Sequence, residues 1–231
     1  MKYENYKDYF YEGTEVLKNK SGITNQQQLN DQERSIVALR ISEISLMSYK
    51  QLPGMGNFDF NHLKAINRFL FQDLYEWAGE MRKCEMEKLD IFCLYSNLEY
   101  FANSIFEGLK KDEYYIDLSY SDKLSKLADL FGDINALHPF REGNGRTQRE
   151  FIEELAKVNG IDLDLTHIGQ IKMIEASHRS MYGDNSYLLE MFNEYSSPSS
   201  RESQLFSISN YCEPKLAKKL INRVLDKNKK R

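Results

Sequence analysis

The chain has 231 residues, of which 41% are hydrophobic and 29% charged, with a formal net charge of −4; that is enough to bury one substantial core. No apolar run approaches the ~20 residues of a membrane-spanning helix, and the opening Met1-Lys2-Tyr3-Glu4-Asn5 lacks the apolar stretch of a signal peptide, so a cytoplasmic protein is expected. Cys84, Cys93 and Cys212 are odd in number and, like the four histidines, have no metal-ligand spacing, which argues against a disulfide framework or a zinc site.

In chain order, Leu29, Ile36, Val37, Ile41, Ile44 and Met47 recur at helical spacing and predict a long helix, broken by Pro53-Gly54-Met55-Gly56. Leu63, Ile66, Phe69, Leu70, Leu74 and Trp77 predict the next, with Trp77 as a core anchor and Gly79 as the C-terminal stop. The helical period lapses between Met81 and Leu94, where residues 86–92 suit a short hairpin. Ser96-Asn97-Leu98-Glu99 then supplies a capping box for another helix. Leu124, Leu127, Ala128, Phe131, Ile134 and Leu137 mark a helix that runs straight up to His138. A further one runs from Arg146 through Phe151, Ile152, Leu155, Ala156 and Val158 and stops at Asn159-Gly160. Ser196-Ser197-Pro198-Ser199-Ser200 reads as a linker or exposed loop. Beyond it, Pro214 opens an amphipathic stretch with Leu216, Leu220, Ile221, Val224 and Leu225. Residues 215–231 carry eight Lys or Arg against one Asp; most such tails fold back onto an acidic body or stay solvated, and nucleic acid is not the expected partner.

The stretch from His138 to Arg149 concentrates chemistry at the junction of two of these helices. Pro139 pushes the residue before it out of the right-handed helical region, so His138 is expected at a helix terminus with its ring free to face a cleft. Phe140 then plugs back into the core. Gly143-Asn144-Gly145 permits positive backbone dihedrals and opens a new helix, whose leading amides and dipole suit phosphate oxygens. Arg146 and Arg149, three residues apart, lean over one face of that helix start, where cations oppose the dipole by roughly 0.3–1 kcal/mol each. An anion reverses the penalty, and two guanidinium groups can fork onto terminal phosphates. Glu142 is placed to hold a divalent cation, Mg²⁺ being favoured because it binds through one or two carboxylates plus phosphate oxygens. His138 is left as the proton acceptor. An ordinary helix corner with capping residues explains any one of these residues, but not all of them together.

His138-Pro139-Phe140-Arg141-Glu142-Gly143-Asn144-Gly145-Arg146, with Arg149 three residues on, resembles the signature of the Fic family, H-P-F-x-[DE]-G-N-G-R-x-x-R, at every defined position. Leu74 to Arg82 resembles the family's Trp-Ala-Gly turn, Met181-Tyr182-Gly183-Asp184 a downstream segment, and Thr14 to Lys20 the opening of bacterial members. The likeness covers roughly residues 9–195. It implies an all-α, Fic-type helical domain over residues 1–195, with its core at about 58–195 after an N-terminal helical extension. A short β-hairpin flap over the active site aligns the target segment, and residues 196–231 form a linker and a basic C-terminal helix. The implied activity is protein adenylylation: AMP passes from Mg-ATP to a hydroxyl of a target protein and pyrophosphate leaves. By position, His138 is the base and Glu142 holds Mg²⁺. Gly143, Asn144 and Gly145 form the anion cradle, Asn144 also through its side chain. Arg146 steadies the β-phosphate and Arg149 the γ-phosphate.

Many Fic enzymes carry an inhibitory helix, [ST]-x-x-x-E-[GN], whose glutamate pairs with the second signature arginine. No complete match is present; Ser209 to Glu213 is followed by Pro214. The chain therefore resembles members whose inhibitor is a separate small antitoxin, or members with no such control. Such relatives can act as toxins, and type II topoisomerases such as gyrase are among the family's targets. Two alternatives stand beside adenylylation: a Fic-fold transferase moving another phosphate-containing group such as UMP or phosphate, and a non-catalytic nucleotide-sensing regulator.

Overall fold

The computed structural model describes residue 3, residues 5–86 and residues 92–226. The hairpin expected at residues 86–92 falls mostly on residues 87–91, outside the described residues. Helix α1 (Gln26–Ile44) starts where the Asn25 side chain accepts from the Gln28 amide and buries only Leu29, Val37 and Ile44. It ends short of Met47, and a tight 3-10 turn at Tyr49–Gln51 leads into the glycine-rich stretch.

Helix α2 (Phe60–Phe71) is capped by Asp59 and buries Leu63, Ile66, Phe69, Leu70 and Phe71. It stops at Gln72, so the helix expected to reach Trp77 and Gly79 is shorter than its apolar spacing suggested. Leu74 and Trp77 are buried from the turn that follows, with Tyr75 stacked on Trp77 at 4.4 Å between ring centroids. Gly79 serves that turn rather than closing the helix. It has φ +77, and a Cβ there would lie 2.6 Å from the Arg68 Cβ, so only glycine lets the chain fold back against α2.

Helix α3 (Leu98–Lys111) grows out of a 3-10 turn at Tyr95–Asn97. The expected capping box is not formed. Asn97 already has φ −106 and ψ −2 and makes no side-chain cap bond, whereas a capping residue needs extended backbone to aim its side chain at the first amides. Helix α4 (Tyr120–Leu137), capped by Ser119, and helix α5 (Asn144–Val158) follow the expected pattern.

Strand β1 (Ile161–Leu163) pairs antiparallel with β2 (Ser196–Pro198), Ile161 opposite Pro198. The Ser-Pro stretch read as a linker is thus a short edge strand, and Ser200 caps the next helix. Pro198 is tolerated because it sits at the end of an edge strand. Between the strands lie α6 (Gln170–Met181) and α7 (Ser186–Glu194). Helix α8 (Arg201–Tyr211) packs along α5, and α9 (Pro214–Asp226) follows it. Lys219 and Arg223 of α9 pair with Glu113 and Asp117, so the basic helix does fold back onto an acidic surface.

The architecture is mostly helical with this one small sheet among the described residues. One continuous apolar cluster runs from Tyr9 through α2, α4 and α5 to Val224, each fully buried large side chain contributing about 1.5–3 kcal/mol. Its centre is α5, packed between α2, α4 and α8, and this fixes the start of α5 against the end of α4. No described helix is long and apolar enough to cross a membrane.

Candidate active site

His138 ends α4 in the left-handed conformation, φ 44 and ψ 58, its amide still bonded to the Ile134 carbonyl at 3.1 Å. The helix terminus is as the following proline required. The ring is not open to a cleft, however: His138 is 8% exposed, and Phe92 stacks on it with centroids 3.8 Å apart. The carbonyl of His138 accepts from Nε of Arg82 at 2.8 Å. The same buried guanidinium donates to the carbonyls of Cys84, at 2.9 Å, and Cys93. The Arg82 amide bonds the Pro139 carbonyl and the Cys93 amide the Ala136 carbonyl, each at 2.9 Å. Burial holds the Arg82 guanidinium below its ordinary pKa, yet three carbonyl acceptors compensate the charge. Both chain ends flanking residues 87–91 are therefore tied to the backbone of the histidine.

Phe140 is buried as expected, and it anchors the loop. Asn144 spends its side chain here, accepting from the Phe140 amide at 2.9 Å and donating to the Phe140 carbonyl at 2.7 Å. It staples the turn instead of reaching outward. Gly143 has φ +80, and an added Cβ would lie 2.1 Å from the Phe71 ring. Thr147 donates the first helical bond, to the Gly143 carbonyl, so the amides of Asn144, Gly145 and Arg146 stand ahead of the ladder, as in the first turn of any helix. Beneath this turn, buried Asn67 donates to the Glu142 carbonyl at 3.2 Å and to the Thr147 hydroxyl at 3.0 Å, and accepts from the Gly79 amide at 2.8 Å. One side chain thus joins the turn after α2 to the signature loop.

The two arginines have different surroundings. Arg146 lies over the Phe71 ring, 4.7 Å from its centroid, and its Nη2 reaches Glu33 at 2.6 Å and Glu142 at 3.4 Å. Arg149 has no ion pair among the described residues, and burial together with the neighbouring Arg146 charge holds its guanidinium below the ordinary value. A partly buried guanidinium with no such partner, in the second turn of α5, suits an anion. Arg141, the variable signature position, is packed among Tyr6, Tyr9 and Phe10, 4.9–5.7 Å from their ring centroids, and serves to dock the N-terminal segment.

Glu142 accepts from the Gly143 amide through Oε1 at 2.8 Å and is partly exposed beside the helix start, so its other oxygen suits a divalent cation shared with phosphate oxygens. No cluster of three or more acidic, His or Cys ligands occurs among the described residues. The donor set fits Mg²⁺, which takes few protein ligands and completes its sphere with phosphate and water.

The structure therefore gathers His138, Glu142, Gly143, Asn144, Gly145, Arg146 and Arg149 around one turn. A family model described as Fic/DOC family matches residues 57–156. The protein adenylyltransferase VbhT of Bartonella schoenbuchensis is 35% identical over 189 residues, 81% of this chain and 38% of that protein, so the chain spans about two fifths of its length. A probable protein adenylyltransferase, y4lH of Sinorhizobium fredii, is 36% identical over 176 residues, 75% of this chain and 88% of that protein. The chain belongs to the Fic/DOC family. Among solved structures, BepC of Bartonella tribocorum with bound AMPPNP aligns at a TM-score of 0.77 and 26% identity, over 84% of this chain and 98% of that one. Outside the signature, Arg82, Asn67, Glu33 and Phe92 contact its residues and Tyr75 backs Glu33; Tyr75 and Arg82 fall in the Leu74-to-Arg82 segment, whereas no local motif singles out Glu33, Asn67 or Phe92.

Proposed function

We propose that this Fic/DOC chain transfers AMP from ATP to a hydroxyl side chain of a target protein, with the triphosphate seated on the start of α5. It is a nucleotidyltransferase of the protein adenylyltransferase class, like relatives of that name at 31–36% identity. The observation that carries the reading is that the histidine ending α4 leads through one tight loop into the leading amides of α5, with the Arg149 guanidinium, which has no ion pair among the described residues, on the next turn of that helix.

In this mechanism the target oxygen attacks the α-phosphorus while the bond from that phosphorus to the bridging oxygen breaks, and pyrophosphate leaves. The hydroxyl proton passes to His138, whose position is fixed by Arg82 at its carbonyl. General-base catalysis of this kind contributes about 10²–10⁴ in rate. The amides of α5 neutralise the α-phosphate, Arg146 holds the β-phosphate and Arg149 the γ-phosphate, so most of the acceleration comes from positioning and preorganised charge. Glu142 would hold a Mg²⁺ ion, which would help neutralise the charge gathering on the leaving group. The segment between Cys84 and Cys93, pinned at both ends by Arg82, is where the target peptide docks by backbone pairing.

Control by a separate antitoxin-like protein belongs to the same reading. No described carboxylate pairs with Arg149; of the two incomplete matches to the inhibitory motif, Ser186 to Glu190 lies within α7, and Glu213 has its amide bonded to the Gly56 carbonyl and stands at the start of α9. A type II topoisomerase such as gyrase is the target class this reading includes.

Incubation with ATP labelled at the α- or the γ-phosphate, with and without cell lysate, tests the reaction. Labelled protein from the α position alone is expected. Label from the γ position would replace adenylylation with phosphate transfer.

A further inference from the structure

We infer that Glu33, far from the signature on helix α1, is a positioning residue that fixes the guanidinium of Arg146 in the attitude needed to receive the β-phosphate. The inference rests on the reading of Arg146 given above and adds a residue to it.

Both carboxylate oxygens of Glu33 are spoken for. Oε1 accepts from Nη2 of Arg146 at 2.6 Å across 113 residues of sequence, and Oε2 accepts from the Tyr75 hydroxyl. Tyr75 is itself buried and stacked on Trp77; burial and the two nearby carboxylates, Glu33 and Glu142, hold its phenol protonated, so it remains a donor to Glu33. The carboxylate is thereby fixed from behind. The Phe71 ring, 4.7 Å from the Arg146 guanidinium carbon, backs the group on one side, while Glu33 holds its Nη2.

A guanidinium has five N–H donors in a rigid fork. Glu33 and Glu142 engage only Nη2, leaving Nε and Nη1 without an acceptor among the described residues. A ligand can therefore be gripped along the remaining edge while Glu33 stays in place. This separates positioning from competition, because a competing carboxylate would have to depart when phosphate arrives. Glu33 also balances one of two adjacent cations at the positive end of α5, where Arg146 and Arg149 repel each other and oppose the dipole.

The test compares ADP with AMP by calorimetric titration, since only ADP reaches the β-phosphate seat. Glu33→Gln keeps the size and loses the charge, and is expected to weaken ADP binding about tenfold, as loss of a charge-assisted hydrogen bond does, while AMP binding changes by less than about twofold. Tyr75→Phe should shift ADP affinity in the same direction by a smaller factor, since it frees Glu33 without removing it. Tighter ADP binding or faster labelling in Glu33→Gln would make Glu33 a competitor and overturn the inference. Equal weakening of ADP and AMP would overturn it too, as a general loss of structure. Arg146→Ala separates the two levels. If it fails to discriminate ADP from AMP, the β-phosphate role of Arg146 is wrong; if it discriminates and Glu33→Gln does not, only the role of Glu33 falls.

Discussion

The ring of Phe92 lies on the imidazole of His138, their planes 20° apart. A histidine that the sequence places at an open helix end is thus roofed by a side chain from within the Met81-to-Leu94 irregular span. Removing the roof with Phe92→Ala should make His138 react with diethyl pyrocarbonate at least several-fold faster, read by mass spectrometry of the peptide that contains it. His62, fully buried against Glu154 at 2.9 Å, is an internal reference that should stay slow. An unchanged His138 rate would mean that Phe92 does not control access to the ring.

Arg82 carries a different load, because it is the common donor to three carbonyls, including that of His138. Truncation to alanine leaves those oxygens buried and unpaired, and each lost bond to a charged donor is worth about 1.5–3 kcal/mol. Arg82→Ala is therefore expected to lower the unfolding free energy by about 3 kcal/mol or more in urea titration. Arg82→Lys should recover part of that, because a single ammonium cannot span the fork. A loss below about 1 kcal/mol for alanine would show that the three bonds are replaced by water.

How much of this was legible in the sequence varies with the range of the interaction. Helices α4 and α5 follow directly from apolar spacing, and the Gly143 turn follows from the need for positive φ, because both are local. Leu74 and Trp77 continue the helical spacing of Leu70 although the chain leaves the helix at Gln72; their burial comes from a compact turn in which Trp77 stacks on Tyr75, which periodicity cannot distinguish from another helical turn. Ser196–Pro198 has loop composition, and only its partner Ile161–Leu163 makes it a strand. The links from Glu33 to Arg146 and from Asn67 to the signature loop join residues 113 and 75–80 positions apart, and no local pattern encodes such separations. One trace was present: Glu33 falls midway between Leu29 and Val37 at four-residue steps, a charge set in the buried stripe of α1.

A second set of ionisable groups lies further along α5. Burial, reinforced by Glu154 and Glu153, pushes the Glu150 carboxyl up to about 8, with Lys157 opposing. The folded chain therefore holds a proton that the unfolded chain has already released above about pH 4.5. Its contribution to stability is full below that pH and falls as pH rises toward about 8, by something on the order of a few kcal/mol. Glu150→Gln removes the titration. The variant should lose less thermal stability than the parent between pH 5 and pH 8, measured by melting across that range. Parallel curves for the two proteins would place the Glu150 proton elsewhere.

Gly143 and Gly145 lie two residues apart, yet alanine should act on them by opposite routes. At Gly143 a Cβ collides with Phe71 and the backbone has φ +80, so Gly143→Ala should destabilise the fold itself. At Gly145 nothing lies within 4 Å of an added Cβ, and the residue sits in the first turn of α5. Helix propensity there favours alanine by up to about 1 kcal/mol, so Gly145→Ala is expected to melt no lower than the parent. If phosphate oxygens approach this backbone closely, the new methyl group stands in their path, and affinity for ATP should drop by about tenfold or more despite the intact fold. Melting and nucleotide titration on the same sample separate the two effects. A Gly145→Ala protein that binds ATP as tightly as the parent would move the triphosphate away from the start of α5.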